Sequence, residues 1–434
     1  MKIFRDPIHN VIDLDTGDKA VNGLLLRLID SREFQRLRFV RQLGFAYFAY
    51  PGANHTRFEH SLGVAFLAKR FLDKIIASEE KITSLYQDSN NKYLLAEFFA
   101  LIKKERHVAI VASLLHDIGH GPLSHVFERL VPGINHEEWT QAIILGDTDV
   151  NRVLTDFGGV DFPGVVCGLL AEGTRKQGTA AKIIAGQLDI DKIDYILRDS
   201  YMTGAGYGKF DVEWLFNVLT VGITSGRVEV GLDLGKGLSV AEDFVMARIY
   251  MFRNIYLHKT SLVAGKMLEL LVERVRELPA DVAGKIFPNH SLRRVLLEDS
   301  AVAVDILADY VAVSDIDIFA FLRLAQDCDD KTISTLGRAL LQRQLFKRID
   351  PRDLAKAQQF AQQEKGEHQS KYYIAQLGKN TVQTYQAHKE CISLFDKNGE
   401  GFALYEKSVI IPSSVWEDFP EEYYVEQSIY GAIK

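Results

Sequence analysis

Residues 114–125 read LLHDIGHGPLSH, three histidines and an aspartate in an otherwise apolar setting. Aspartate is among the residues least often buried and histidine is intermediate. The adjacent pair His116-Asp117 therefore needs a compensating partner, and coordination of a cation is one of the few that offset its desolvation. Upstream, RHVAIVASLLHDIG (106–119) repeats apolar residues at the helical period through Val108, Val111, Ala112 and Leu115, and reads as a helix. Gly119 and Gly121-Pro122 are expected to stop it just after the pair. Neighbouring helical residues point roughly 100° apart, so His116 and Asp117 meet one ion only from a helix end or a pocket wall.

By itself a His-Asp dipeptide is more often a capped helix end or a surface hydrogen bond. Its weight comes from company: HTRFEHSLG (55–63) and QLDIDKIDY (187–195) add His60 and Asp191. His60, His116, Asp117 and Asp191 offer two imidazoles and two carboxylates, a set suited to Fe, Mn, Zn or Mg. Taken singly, His60 also reads as a satisfied core histidine, and Asp191 as a partner of Lys192 or Arg198.

The rest of the chain bounds this chemistry. At 434 residues and 47% hydrophobic, it has material for two domains or one extended one. The net charge of −7 provides no general field for holding nucleic acid, which is not expected as the main partner. The three cysteines, Cys167, Cys328 and Cys391, are far apart and form no CxxC, which argues against a disulfide framework or a cysteine zinc site. No apolar run reaches membrane-spanning length and the first residues lack a signal-peptide core, so a cytoplasmic protein with no membrane partner is expected. Eight of the twelve histidines fall before residue 137, concentrating polar chemistry at that end.

Most segments read as helices. Ser31 is a plausible N-cap for REFQRLRFV, and SLGVAFLAKRFLDKII (61–76) is amphipathic. ASEEKITSLYQDSNNKY (77–93) reads as a polar surface excursion, and 182–200 and 240–278 as long helices. Two β-hairpins are expected, at 220–234 around Ser225-Gly226 and at 391–406 around Asn398-Gly399. The fold class is mainly α: a helical core with a small hairpin over 1–288, and a smaller α+β lobe over 289–434. Lys192, Tyr195 and Asp199 share one helix face, and Arg248, Phe252, Tyr256 and Lys259 another. A face of cations and aromatics can meet a triphosphate and a base together, although without context it is more often a solvated stripe.

DPIHN (6–10), FQRLRFVRQLGFAYFAYPGANHTRFEHSLGV (34–64), LLHDIGHGPLSH and DIDKIDYILRDS (189–200) resemble the HD-domain deoxynucleoside triphosphate triphosphohydrolases. The likeness covers most of residues 2–260 and recurs weakly near 343–350. It implies His60, His116, Asp117 and Asp191 as metal ligands, with Mg accompanying the triphosphate. It implies His125 as the proton donor to the leaving 5′ oxygen, Glu128 as its orienting carboxylate in place of an aspartate, and His120 and His136 as the other active-site histidines. Arg57, Lys192 and Arg248 would meet phosphates. Gln42 and Leu43 would pack on the sugar, with Tyr195, Asp199 and Tyr256 nearby, and exclusion of a 2′-hydroxyl would select deoxyribose. Phe252 stands where vertebrate members carry histidine.

The same resemblance implies a dGTP- or GTP-type activator held between subunits by Lys2, Asp30, Gln35, Arg38, Lys236, Arg343 and Lys347, with Thr220 in place of an arginine. It also implies a homo-oligomer, a tetramer ahead of a dimer. The implied reaction yields deoxynucleoside and inorganic triphosphate. The alternatives are another HD phosphohydrolase, such as a nucleotidase or cyclic-nucleotide phosphodiesterase, and a non-catalytic nucleotide-sensing or nucleic-acid-binding protein.

Overall fold

The computed structural model describes residues 2–131, 133, 135–170, 188–298, 303–378, 380–386 and 391–434. The chain is mainly α-helical, with small sheets at its edges. An N-terminal hairpin pairs β1 (Ile3–Asp6) with β2 (Asn10–Asp13). Helix α1 (Arg57–Ala77) starts at a capping box of Thr56 and Glu59, which satisfies amides that its first turn cannot. Leu62, Val64, Ala65, Leu67, Ala68, Phe71 and Leu72 bury nearly its whole circumference, so α1 is a central core helix.

Helix α2 (Ser89–Leu115) packs along α1. It corrects the expected excursion at 77–93, which is instead the helix Glu79–Leu85 followed by the first turn of α2. Asp88 caps α2 by accepting from the Asn91 amide at 2.7 Å. Leu95, Phe98, Phe99 and Ile102, at i, i+3, i+4 and i+7, bury one face. The helix ends at Leu115 with His116 as C-cap, before the pair rather than just after it, so His116 and Asp117 already lie in the turn. Gly119 serves packing there. A Cβ on it would come within 2.2 Å of the His136 carbonyl and the Thr140 amide, so only glycine lets α4 (His136–Leu145) approach, beyond the short α3 (His125–Leu130).

Helix α5 (Ile190–Thr203) is capped by Asp189, which accepts from the Asp191 amide at 2.8 Å. The expected helical start at 182–187 lies outside the described residues. The expected single helix over 240–278 is two helices, α6 (Leu234–Met251) and α7 (Lys259–Arg276). A π-turn at Phe252–Tyr256 joins them, and His258 caps α7. That wider turn and break remove Lys259 from the face it was expected to share with Arg248 and Tyr256.

Both hairpins form where expected: β3 (Leu219–Thr224) with β4 (Arg227–Asp233), and β5 (Ser393–Phe395) with β6 (Gly401–Ala403). They join into one sheet, because β5 runs parallel to β4 through Leu232–Leu394 and Asp233–Phe395. The C-terminal region adds Lys347–Ile349, Ile374–Leu377 and Glu422–Val425 in a second sheet. One continuous apolar cluster crosses residue 288. Tyr310 stacks on Trp139 at 3.7 Å and donates to the Gly119 carbonyl at 2.7 Å. Asp315 accepts from the Leu123 amide at 2.7 Å and the Arg41 amide at 3.2 Å. No single helix among the described residues is long and apolar enough to cross a membrane.

Candidate active site

The C-terminal end of α2, the first turn of α1 and the start of α5 bring the four expected ligands together. His60 Nε2 lies 2.9 Å from Asp191 Oδ1 and 3.4 Å from Asp117 Oδ2. His116 Nε2 lies 3.4 Å from both Asp117 Oδ1 and Asp191 Oδ1. Ligand atoms of His60, His116 and Asp117 all lie within 4.8 Å of one another. Both Nε2 atoms are buried and make no hydrogen bond despite these neighbours. In each ring the other nitrogen is committed: His60 Nδ1 donates to Asp194 Oδ2 and His116 Nδ1 to the Ser113 carbonyl, both at 2.8 Å. That fixes the tautomers and leaves Nε2 lone pairs directed among carboxylates, an arrangement that fits a divalent cation. Electrostatics agree. Burial opposes charge on His60, but Asp191 and Asp194 outweigh it and push the imidazole up to about 10.

The bland pairings of Asp191 are not realised. Lys192 instead meets Asp189 at 3.0 Å. Arg198 donates to Asp194 from Nε at 2.8 Å and Nη2 at 3.0 Å, and to Asp6 from Nη1 at 2.7 Å. Asp194 is fully buried, and although burial opposes its charge, Arg198 holds it well below the usual carboxylate range. His9 adds a fourth bond to this carboxylate, Nε2 to Oδ1 at 2.6 Å.

Next to the ligands, His120, His125, Glu128 and His136 also converge within 4.8 Å. Ring geometry disqualifies this group as a metal centre. His120 and His136 stack at 4.0 Å with planes 13° apart, so their in-plane lone pairs run parallel and cannot meet on one ion. Glu128 accepts from His136 at 2.7 Å, whereas its contact with His125 Nδ1 is 3.3–3.4 Å. The carboxylate expected to orient His125 is thus held more tightly by His136. Burial works against the Glu128 charge, but the bonds from His125 and His136 prevail and depress its proton affinity. Burial and then the Arg57 guanidinium hold His120 well below the usual imidazole range, so it is neutral. The His125 side chain is 65% exposed, open to a ligand.

Arg57 is buried between Asp117, which it contacts through Nη1, and Ser124, to which Nε donates at 2.8 Å. Leu123 and Ser124 adopt φ of 57° and 55°, left-handed values that cost roughly 1–3 kcal/mol each and here turn the chain into α3. Asp117, Asp191 and these histidines line a cavity of about 400 Å³ with Gln42, Leu43, Arg57, Tyr195, Asp199 and Tyr256. Tyr256 donates to Asp199 Oδ2 at 2.9 Å, and His55 holds Oδ1 at 2.7 Å. Phe252, from the π-turn, and Arg129, which no sequence signal marked, also line it. Lys192 and Arg248, expected at phosphates, are not among the lining residues. Arg248 lies 5.8 Å from the Phe252 ring.

Of the seven expected regulatory residues, Arg343 and Lys347 share a second cavity of about 290 Å³ with Lys259, Thr260, Arg348 and Tyr424. Gln35 accepts from Arg38 Nε at 2.8 Å, and Arg38 covers the Phe58 ring at 3.5 Å, with Asp30 capping the preceding helix. Lys2 precedes β1 and Lys236 lies in the first turn of α6. One chain does not gather these groups.

The family model described as the HD domain matches residues 57–199, the span that contains all four ligands. An uncharacterised Bacillus subtilis protein, YwfO, is 33% identical over 349 residues, covering 80% of this chain and 72% of that protein. The chain belongs to the HD-domain family. This HD-domain chain is also similar to the chicken deoxynucleoside triphosphate triphosphohydrolase SAMHD1, at 27% identity over 302 residues, 63% of this chain and 44% of that protein. A solved phosphohydrolase structure from Bacteroides thetaiotaomicron matches with a TM-score of 0.79 at 26% identity, over 98% of this chain and 99% of that one.

Proposed function

We propose that this HD-domain chain is a metal-dependent phosphohydrolase that cleaves deoxynucleoside triphosphates into deoxynucleoside and inorganic triphosphate. One observation carries the reading. A single cavity, within the 300–1,000 Å³ range typical of small-molecule sites, joins two of the cation ligands, Asp117 and Asp191, to residues suited to a nucleoside. Gln42 supports it further: its Oε1 is buried without a hydrogen-bond partner, an acceptor suited to a sugar hydroxyl.

His60, His116, Asp117 and Asp191 would hold a divalent ion, which would supply charge neutralisation and lower the pKa of an attacking water. The protein groups do the rest. Arg57 Nη2 is left unused by the Asp117 and Ser124 bonds and offers a donor to a phosphate oxygen. His125 hands a proton to the departing 5′ oxygen, with Glu128 beside it. His120, held neutral, and His136 border the phosphate path. Asp199, held by His55 and Tyr256, fixes the wall against which the ribose rests, and a 2′-hydroxyl would meet Tyr256 there. Lys192 and Arg248 would reach the phosphates after side-chain rotation.

The chain's likeness to a triphosphohydrolase also supports an activator. Arg343, Lys347, Lys259 and Arg348 place four cations around the second cavity, chemistry suited to a polyphosphate. Asp30 and Arg38 suit a guanine edge. Because these groups lie apart in one chain, the activator reading requires a homo-oligomer, and we take a tetramer. The test is incubation with each dNTP, alone and in mixtures, with Mn or Mg and product analysis. Inorganic triphosphate supports the reading; phosphate or pyrophosphate favours another HD phosphohydrolase. A His116→Ala variant that keeps the biological role favours a non-catalytic sensor.

A further inference from the structure

We infer that Asp6 and His9, on the N-terminal hairpin, are positioning residues for the cation ligand His60, acting through Asp194. The ring of His60 has one free direction, and Asp194 Oδ2 sets it by accepting from Nδ1 at 2.8 Å. Asp194 is itself positioned from two sides. Arg198 grips it along α5 with two bonds, and His9 Nε2 reaches Oδ1 at 2.6 Å from 185 residues away in sequence. Asp6 secures both. Its Oδ1 accepts the amides of Ile8 and His9 at 2.9 Å, which shapes the hairpin turn, and its Oδ2 accepts from Arg198 at 2.7 Å.

His9, Asp194 and Arg198 side chains are 2% exposed or less, so water cannot substitute for the His9 or Arg198 donors. The ring of His9 rests 5.5 Å from Phe66, one face of α1 beyond His60. The hairpin therefore closes the back of the cation site, and His60 faces its carboxylates only while the hairpin is seated. Partners of this kind typically change metal affinity 10- to 100-fold. The inference rests on the four-ligand cation reading and not on the identity of the substrate.

The test is Mn2+ titration of the metal-stripped full chain, with free Mn2+ followed by electron paramagnetic resonance. His9→Ala is expected to weaken binding on the order of 10- to 100-fold. His9→Gln, whose amide N–H can replace the imidazole donor, is expected to restore most of it. If His9→Ala does not fold, His9→Leu takes its place, filling the space beside Phe66 but donating nothing. Equal Mn2+ affinity in wild type and His9→Ala overturns the inference, as does a His9→Gln variant no better than alanine. A wild-type protein whose Mn2+ binding is unaffected by His60→Ala sinks the cation reading itself, a result distinct from the other two.

Discussion

One substitution made at two places tests the packing behind the site. Gly63 lies in α1, three residues past His60, and a Cβ there would meet Asp194 Oδ1 at 2.0 Å and Arg198 Nη2 at 2.6 Å. Both partners are fully buried and hydrogen-bonded, so neither can swing aside. Gly63→Ala must therefore break the ion pair. Losing one arrangement of a buried pair costs about 3–5 kcal/mol, and alanine returns roughly 1 kcal/mol of helix propensity. The net expectation is about 2–4 kcal/mol of lost stability, together with lost cation binding because Asp194 no longer holds His60. Gly23 is also within a helix, Lys19–Ile29, but has no heavy atom within 4 Å of its would-be Cβ. Gly23→Ala should gain roughly 0.5–1 kcal/mol. Urea unfolding midpoints of the two variants should move in opposite directions. A Gly63→Ala midpoint at or above the Gly23→Ala value would refute the packing argument.

Other perturbations separate the roles of individual groups. His125→Ala should lower kcat by about 10²–10⁴ while leaving the melting temperature unchanged, since its side chain is 65% exposed; a matching loss of stability would contradict the assignment. Glu128 has a proton affinity depressed below its ordinary 4.5. Below that pH the unfolded chain binds more protons than the folded one, so the stability Glu128 adds is complete above about pH 4.5 and drains as pH falls further. Glu128→Gln should flatten the acid limb of a stability–pH profile, and an unchanged limb would count against the pairing. Tyr256→Phe removes the 2.9 Å donor to Asp199, and a loss of about 1.4 kcal/mol corresponds to a tenfold fall in discrimination between dNTPs and NTPs. An unchanged ratio would take Tyr256 off the sugar. Lys347→Ala should raise the half-activating guanine nucleotide concentration roughly 10-fold or more, without changing activity measured in its absence.

The ligand set was legible because its four residues need particular chemistry and stand in an apolar sequence context. Their supports were not. Asp194 and Arg198 look like any i, i+4 pair on an exposed helix, and nothing local says that His9 reaches them from the N-terminus. DPIHN carried information only as a resemblance. Arg129 and Phe252 enter the cavity by tertiary placement, without a spacing to betray them. Helices were well marked where apolar periodicity was strong, as in α1. The reading failed at Glu79–Leu85, where charged helix formers mask a helix, and at the π-turn, which has no compositional signature. Lys259 was misplaced for that reason, since a face projected across 252–258 assumes an unbroken 3.6-residue period.

Asp315 ties the Leu123 amide to the Arg41 amide from nearly 200 residues further along the chain. Tyr310 adds its bond to the Gly119 carbonyl from the same region. A nascent polypeptide that has emerged as far as α7 therefore already contains every cation ligand, yet the left-handed Leu123-Ser124 bend still lacks its bond from Asp315. Maturation of the His125 segment must wait for the last third of translation. Truncated products should thus acquire helices long before they become competent to turn over substrate.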